Sequence, residues 1–399
     1  MTLTKASRSP VRPKNNFLVF GQPLIENEDI REVTATLRSG WVGAGPQVRR
    51  FEEMFRHYKG SRHTVGLNSC TAAIHLSLLA AGIAPGDEVI STPMTFCATI
   101  NAIIHSGARP VLADCEPDSM NISPAEIESK VTPKTRAILI VHFAGRPCDM
   151  DAVMTIARKR RLSVIEDCAH AIEAEFHGKK SGTFGDTGCF SFYATKSIVT
   201  GDGGMAVTDN EEWARKIRTL SLQGMDKDAW KRFDGEGGDH YQVVECGYKY
   251  NMTDIMAALA IPQLKRLEER WKRRAEIWQR YQEAFADIPI ATPKPPDPDT
   301  RHAYHLYPVL IDERTSGLTR DEFRAAMARE NIGVGVHYRS APEHPLYQKK
   351  LGWKPQDYPN ACRIGRQTVS LPLSARLTDE DAADVIQAVR KIIKSRGDC

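Results

Sequence analysis

Between His63 and Leu220 the chain alternates short apolar runs with helical segments, and this alternation limits the fold more than any other feature. Candidate strands are His63–Leu67, Glu88–Thr92, Pro110–Ala113, Ala137–Val141, the run Leu162–His170, Cys189–Tyr193 and Met205–Thr208. Helical patterns fill the gaps at Ala72–Ala81, Cys97–His105, Pro124–Lys130, Ala152–Arg161 and Glu211–Leu220. Strands this short and this uniformly apolar are buried on both faces, which only helices on both sides of a mostly parallel sheet provide. The expected class is α/β, a mostly parallel mixed sheet sandwiched by helices. In such sheets ligands gather at the carboxyl ends of the strands.

The flanks extend this plan. Glu26–Ser39 carries Ile30, Val33 and Leu37 at helical spacing and stops at Gly40, and a second helix is expected over Val48–Tyr58. Between them SGWVGAGP (Ser39–Pro46) is glycine-rich, but it lacks the spacing and the preceding strand of a dinucleotide fingerprint. Gly178–Gly188 reads as a loop, and Gln223–Glu245 as a mobile or functional one, too polar and irregular for a packed connection. An apolar helix, Ile255–Leu264, continues into a stripe of Trp271, Ala275, Trp278, Tyr281 and Phe285 that suits a bridge between domains; Pro293–Asp299 marks a boundary. Beyond it, strand Tyr304–Ile311, helix Thr319–Glu330, strand Gly333–His337 and helix Asp379–Ser395 predict a small α+β unit. The expected division is a disordered leader at 1–16, a large domain at 17–265, and a bridging helix with a small C-terminal domain at 266–399.

With 399 residues, 41% hydrophobic and 26% charged, the chain has the composition of a globular protein large enough for two cores. A net charge of +4 without a long basic block gives no nucleic-acid footprint. No apolar run approaches the ~18 residues of a membrane span, and the basic, polar leader has no apolar signal region. Nine cysteines without a CxxC pair read as reduced thiols of a cytoplasmic protein, not as a disulfide frame or a metal site. Arg396-Gly397-Asp398 reads as a frayed tail.

Three stretches carry chemistry. CFSFYATKSIVTGDGGM (Cys189–Met205) places Lys196 where a buried strand runs out, followed by Gly201, Gly203 and Gly204. Burial lowers a lysine's pKa, and a neutral amine attacks carbonyls. Taken alone, such a lysine is more often a surface residue. Asn68-Ser69-Cys70-Thr71 turns a strand into an alanine-rich helix, whose free first-turn amides and nearby hydroxyls suit a phosphate; a plain N-cap would look the same. LSVIEDCAH places Glu166 and Asp167 at a strand's carboxyl end, where an ion pair or a helix cap is the competing role.

Together the segments SGWVGAGP, NSCTAAIHLSLLA, TPMTFCAT, PVLADCEPDSMNI, VHFAGRPCDMD, VIEDCAHA, FSFYATKSIVTGDGGM, GYKYNMTDIMAA and IGVGVHYR make the chain, from about Phe20 to Ile393, resemble the DegT/DnrJ/EryC1/StrS family. These are nucleotide-sugar aminotransferases of fold type I that depend on pyridoxal phosphate (PLP). The VHFAG, GYKYN and DAW segments are most similar to the subgroup that makes UDP-4-amino-4-deoxy-L-arabinose. The resemblance implies that Lys196 holds PLP as a Schiff base and shuttles protons, and that Asp167 pairs with the pyridine nitrogen. It implies that His170 reaches the ring 3′-oxygen and that Phe96 stacks on the ring. Thr71, Ala72 and Ser191 would hold the phosphate. Gly247–Asn251 would arrive from the partner of a homodimer; many relatives have Asn at its third position, where this chain has Lys249, so either Lys249 or Asn251 is the phosphate contact. Trp41, His337 and Tyr338 would meet substrate. The implied reaction takes an amino group from L-glutamate, leaves 2-oxoglutarate, and aminates a nucleotide keto-sugar, here a UDP-4-keto sugar for a surface polysaccharide, lipid A or a related glycan. Two alternatives share the scaffold: a PLP-dependent sugar dehydratase, in which histidine replaces the lysine, and a regulatory relative without activity. Lys196 and the lack of a DNA-binding appendage speak against them.

Overall fold

The computed structural model describes residues 10–13, 15–226 and 241–397. Most of the expected leader, residues 227–240 of the expected loop with its DAW segment, and Asp398 of the expected tail lie outside the described residues.

Helices α1 (Asn27–Ser39) and α2 (Pro46–Lys59) precede β1 (His63–Leu67), α3 (Cys70–Ala80), β2 (Glu88–Ser91), α4 (Cys97–His105) and β3 (Arg109–Leu112). Then come α5 (Pro124–Lys130), β4 (Thr135–Val141), α6 (Met150–Arg160), β5 (Ser163–Asp167), β6 (Glu175–Phe176), β7 (Lys179–Lys180), β8 (Thr187–Ser191), β9 (Gly204–Thr208) and α7 (Glu211–Ser221). Helices α8 (Asp254–Lys265) and α9 (Leu267–Phe285) lead to β10 (Thr300–Arg301), β11 (Tyr307–Leu310), α10 (Glu313–Ser316), α11 (Arg320–Arg329), α12 (Pro345–Leu351), α13 (Pro359–Gln367), β12 (Thr368–Leu371) and α14 (Asp379–Gly397).

The seven-stranded sheet runs β1-β9-β8-β5-β4-β2-β3. The pairs β3–β2, β2–β4, β4–β5 and β5–β8 are parallel, and β9 alone runs against its neighbours. Its central strands are buried throughout: Ala137–Val141 and Val164–Asp167 are apolar or buried on both faces because α3 and α4 cover one side and α5 and α6 the other. The mostly parallel mixed sheet between helices agrees with the expectation from the sequence. A second core joins α9, α11 and α14 to the antiparallel pair β11–β12 through Tyr281, Phe285, Tyr307, Phe323, Met327, Val369 and Val385. A third apolar cluster spans both, setting Met94, Ile100 and Phe143 against Leu306, Ala341 and Tyr358.

Four details depart from the sequence reading. Residues 10–13 are not a free leader: Arg12 is buried and pairs with Asp381 at 2.8 Å and Asp384 at 2.7 Å on α14. The loop Gly178–Gly188 contains β7 and the start of β8. Gly333–His337 forms only a bridge from Gly335 to Ser370, because the β11 partner is β12, whose TVSL segment reads weakly as a strand. The apolar positions of α1 face outward: Ile30 is 55% and Leu37 52% exposed, while Asp29 and Thr36 are buried against the small residues of α8. Asp29 tolerates this because its carboxylate accepts the Glu26 amide and pairs with Arg266.

Candidate active site

The carboxyl ends of the strands open onto a cavity of about 480 Å³. Its walls bring together Thr71, Phe96, Asp167, His170, Ser191, Lys196, His337 and Tyr338 from segments far apart in the sequence. Ala72, Trp41, Lys249 and Asn251 are not on these walls. The Ala72 amide is already taken by the N-cap Ser69 Oγ at 3.1 Å, which leaves Cys70 and Thr71 as the first-turn amides free for an anion.

Strand alternation separates the two acids of β5. Asp167 faces the cavity and Glu166 the opposite side, as neighbouring residues on a strand must. Asp167 Oδ2 accepts from Thr99 Oγ1 at 2.9 Å, and Oδ1 accepts from the Ala169 amide at 3.1 Å with the Cys70 thiol at 3.9 Å. Thr99 Oγ1 lies 2.7 Å from Thr95 Oγ1, so two hydroxyls stand in line behind the carboxylate. Burial pushes the Asp167 carboxyl up from its usual range, opposed by the Ala169 amide, the Thr99 hydroxyl and the Lys196 charge. Glu166 instead pins a turn, accepting from the amides of Gly182, Phe184 and Gly185 and from His142 Nε2 at 3.0 Å. His142, Glu166 and Cys168 come within 4.8 Å of one another, a spacing a metal could use. The His142 Nδ1 lone pair already accepts from the Cys148 amide, however, and Glu166 is saturated, so the cluster is a structural knot.

Lys196 sits in the loop after β8, its amide held by the Tyr193 carbonyl at 2.9 Å. Burial pulls its ammonium pKa down to about 8, despite nearby Cys70 and Asp167. The following glycines let this loop close on α3: a Cβ at Gly204 would lie 2.3 Å from the Ser69 carbonyl carbon. Across the cavity, His170 Nε2 lies 3.0 Å from the Tyr338 hydroxyl, while His170 Nδ1 is buried without a partner. His337 Nδ1 lies 2.9 Å from Ser370 Oγ, and burial lowers its imidazolium pKa to about 4. Phe96, the N-cap of α4, is 57% exposed at the mouth, 5.8 Å from the Tyr338 ring. Sequence reasoning missed Thr99, Thr95 and Cys70. The only signal for them was their place beside the motif residues Phe96 and Thr71.

These residues fit PLP. The cavity offers a depressed-pKa amine, a buried carboxylate, free amides at a helix start, and an orphaned imidazole nitrogen. Fold and site together define a PLP-dependent enzyme of fold type I. The sequence profile of the DegT/DnrJ/EryC1/StrS aminotransferase family matches residues 23–390, and the chain belongs to that family. It is 50% identical over 386 residues to the spore coat polysaccharide biosynthesis protein SpsC of Bacillus subtilis, covering 96% of this chain and 99% of that one. A putative sugar aminotransferase of Streptococcus pneumoniae, solved in its PMP form, superposes with a TM-score of 0.89 at 32% identity, covering 95% of this chain and 99% of that one. Helicobacter pylori PseC, an aminotransferase of pseudoaminic acid biosynthesis, superposes with a TM-score of 0.88 at 28% identity over 95% of this chain and all of its own, 100%. The protein is therefore an aminotransferase whose cofactor is pyridoxal phosphate.

Proposed function

We propose that this aminotransferase moves the amino group of L-glutamate onto the keto carbon of a nucleotide-linked sugar, a UDP-4-keto sugar, leaving 2-oxoglutarate. The product would be an amino sugar for a surface polysaccharide, lipid A or a related glycan, made in the cytoplasm. The observation that carries the reading is the pair Lys196 and Asp167 on one cavity, the amine neutral enough to act and the carboxylate held by Thr99. The relatives support the sugar: SpsC belongs to polysaccharide biosynthesis, and DesI, similar at a TM-score of 0.85 and 30% identity, was solved with its TDP-sugar product. No helix among the described residues is long and apolar enough to cross a membrane.

Bound PLP supplies an electron sink for the pair released when the donor Cα–H bond breaks. Lys196 Nζ would hold the cofactor and, in its neutral form, would accept the Cα proton and return it as an acid. Asp167 would hold the ring nitrogen and its proton. Thr71 and Cys70 amides with Ser191 Oγ would take the phosphate, Phe96 would cover the ring, and His170 Nδ1 would face its oxygen. In the sugar half of the cycle Nζ would run the transfer in reverse, accepting a proton and giving it to the former keto carbon.

We further propose a homodimer with shared sites. Lys249 and Asn251 lie off this chain's own cavity, paired to Leu222 and Leu67, and Trp41 turns its indole to the Ala44 carbonyl. A partner's cavity is where they would act. The outward apolar stripe of α1, Ile30 and Leu37 with neighbouring Val42, needs cover of the kind a second copy gives.

The test is spectroscopic, then chemical. The visible band of lysine-bound PLP should bleach on adding L-glutamate. A panel of UDP-, dTDP- and GDP-keto-sugars should restore it, with products identified by mass and NMR. A band unmoved by every amino donor would refute transamination. Recovery by 2-oxoglutarate alone, with no keto-sugar accepted, would refute the sugar.

A further inference from the structure

Tyr338 and His170 meet on the cavity wall although 168 residues separate them, the phenol oxygen lying 3.0 Å from His170 Nε2. Both groups are neutral. Burial, with the Asp167 charge nearby, pushes the Tyr338 hydroxyl well above its usual pKa. Burial, with the Lys196 charge nearby, pulls the His170 imidazolium well below its own. The phenol keeps its proton, and the imidazole carries one.

Which ring nitrogen carries that proton is set by the bond the other nitrogen makes. A phenol is the better donor of the two groups and an imidazole nitrogen the better acceptor, so the tyrosine O–H points at Nε2. The reverse arrangement, with Nε2–H donating, would leave the tyrosine proton idle, because the hydroxyl has no second partner among the described residues. Nε2 then holds the lone pair and Nδ1 the proton. Nδ1 is buried and has no partner among the described residues. A buried donor left so costs about 1–3 kcal/mol, which an oxygen brought by a ligand would recover. Neighbouring rings hold the pair in place. His305 lies 4.5 Å from the His170 ring, and Gly145 makes room for both: a Cβ there would lie 2.8 Å from the His170 carbonyl oxygen and 3.3 Å from the His305 nitrogen. Phe143 at 6.2 Å and His337 at 5.1 Å meet the Tyr338 ring edge-on. His305 and His337 are themselves neutral, burial lowering both, so neither offers Nδ1 a charge.

We propose that Tyr338 is a positioning residue: its hydroxyl donates to His170 Nε2, fixes the imidazole as the Nδ1–H tautomer, and so makes Nδ1 a donor to the ring oxygen of PLP. The inference deepens the reading above, which sets His170 Nδ1 at that oxygen, and gives Tyr338 a task apart from meeting substrate. A donor at this oxygen stabilises its anion, so the proton shared with the lysine nitrogen of bound PLP leaves at lower pH.

Two measurements test it. The first needs no cofactor. In apoenzyme with isotope-labelled histidine nitrogens, NMR reads which nitrogen of each ring is protonated, and the His170 signals are those lost in His170→Gln. Wild type should show Nδ1–H, and Tyr338→Phe, which keeps the ring and loses only the hydroxyl, should show Nε2–H or a mixture. The second is the pH titration of the visible band of lysine-bound PLP. Tyr338→Phe should raise its midpoint by about one unit, the scale of a hydrogen bond to an ionised oxygen. In a His170→Ala background the same substitution should add no further shift, because it acts through the imidazole. Nε2–H in the wild type, a Tyr338→Phe midpoint within about 0.2 unit of wild type, or a shift that persists without His170 would overturn the assignment. So would an effect of Tyr338→Phe confined to affinity for UDP, which is the mark of a substrate contact alone. If His170→Ala itself leaves the midpoint unmoved, the placement of His170 at the ring oxygen falls, while the NMR pattern still decides the bond to Tyr338.

Discussion

Replacing Thr99 by valine removes a single donor from behind Asp167 while keeping the side-chain shape. Thr99 is fully buried, and its hydroxyl gives Asp167 Oδ2 a 2.9 Å bond, with Thr95 2.7 Å behind it. A buried bond to an ionised group is worth about 1.5–3 kcal/mol. Its loss raises the Asp167 carboxyl further, on top of the rise that burial already causes. Asp167 then holds the ring nitrogen's proton less well, and proton removal from the donor carbon slows by a comparable free energy, about 10–100-fold. The assay is a single-turnover bleach of the PLP band by saturating L-glutamate across pH, alongside a PLP titration. Thr99→Ser, which keeps the hydroxyl, should stay within about threefold of wild type. If Thr99→Val bleached at the wild-type rate with PLP bound, the hydroxyl would not be tuning Asp167, and the reasoning from burial to rate would fail.

Asp167→Asn should keep PLP bound yet lower turnover by orders of magnitude; near-wild-type turnover would refute the electron-sink role. In the apoenzyme, Lys196 with a pKa of about 8 should be neutral in about one molecule in ten at pH 7, against about one in three thousand for an ordinary lysine. Stopped-flow capture of PLP should therefore accelerate from pH 7 to 9 and level off above an apparent pKa near 8. Because the folded pKa lies below the unfolded one, the unfolded chain binds more protons between about pH 8 and 10.5. The Lys196 contribution to apoenzyme stability accordingly rises with pH across that window, which denaturant titration against Lys196→Met can isolate. Gly204→Ala should cost about 1–3 kcal/mol in urea unfolding and weaken PLP binding, since its Cβ would meet Ser69 at 2.3 Å.

What could be read from the sequence follows from which forces act locally. The parallel sheet was legible because strands buried on both faces must be short and apolar, and those runs stand out between helices. Lys196 and Asp167 could be placed at the ends of buried strands, but only the resemblance of the surrounding segments gave them a task. Thr99 was not legible, because a threonine inside a helix reads as filler until the fold carries it under a carboxylate 68 residues away. The face of α1 read correctly as a helix, but the pattern could not show that the small residues of α8 would take its polar side. Lys249, Asn251 and Trp41 stand apart from the Lys196 cavity in this chain's fold.

The junction at α9 shows why the place of the second core was hidden. In the sequence Arg270 and Arg274 look like the solvent face of a helix whose aromatic residues face inward. The structure buries them at the head of that same stripe, above Ile277, Trp278, Tyr281 and Phe285. Buried guanidiniums are tolerable only when carboxylates and carbonyls meet them, and here Glu26, Leu24, Glu173, Ala303 and Tyr304 do so from three stretches of the chain. Each partner comes from a distant segment, so no local pattern announces it.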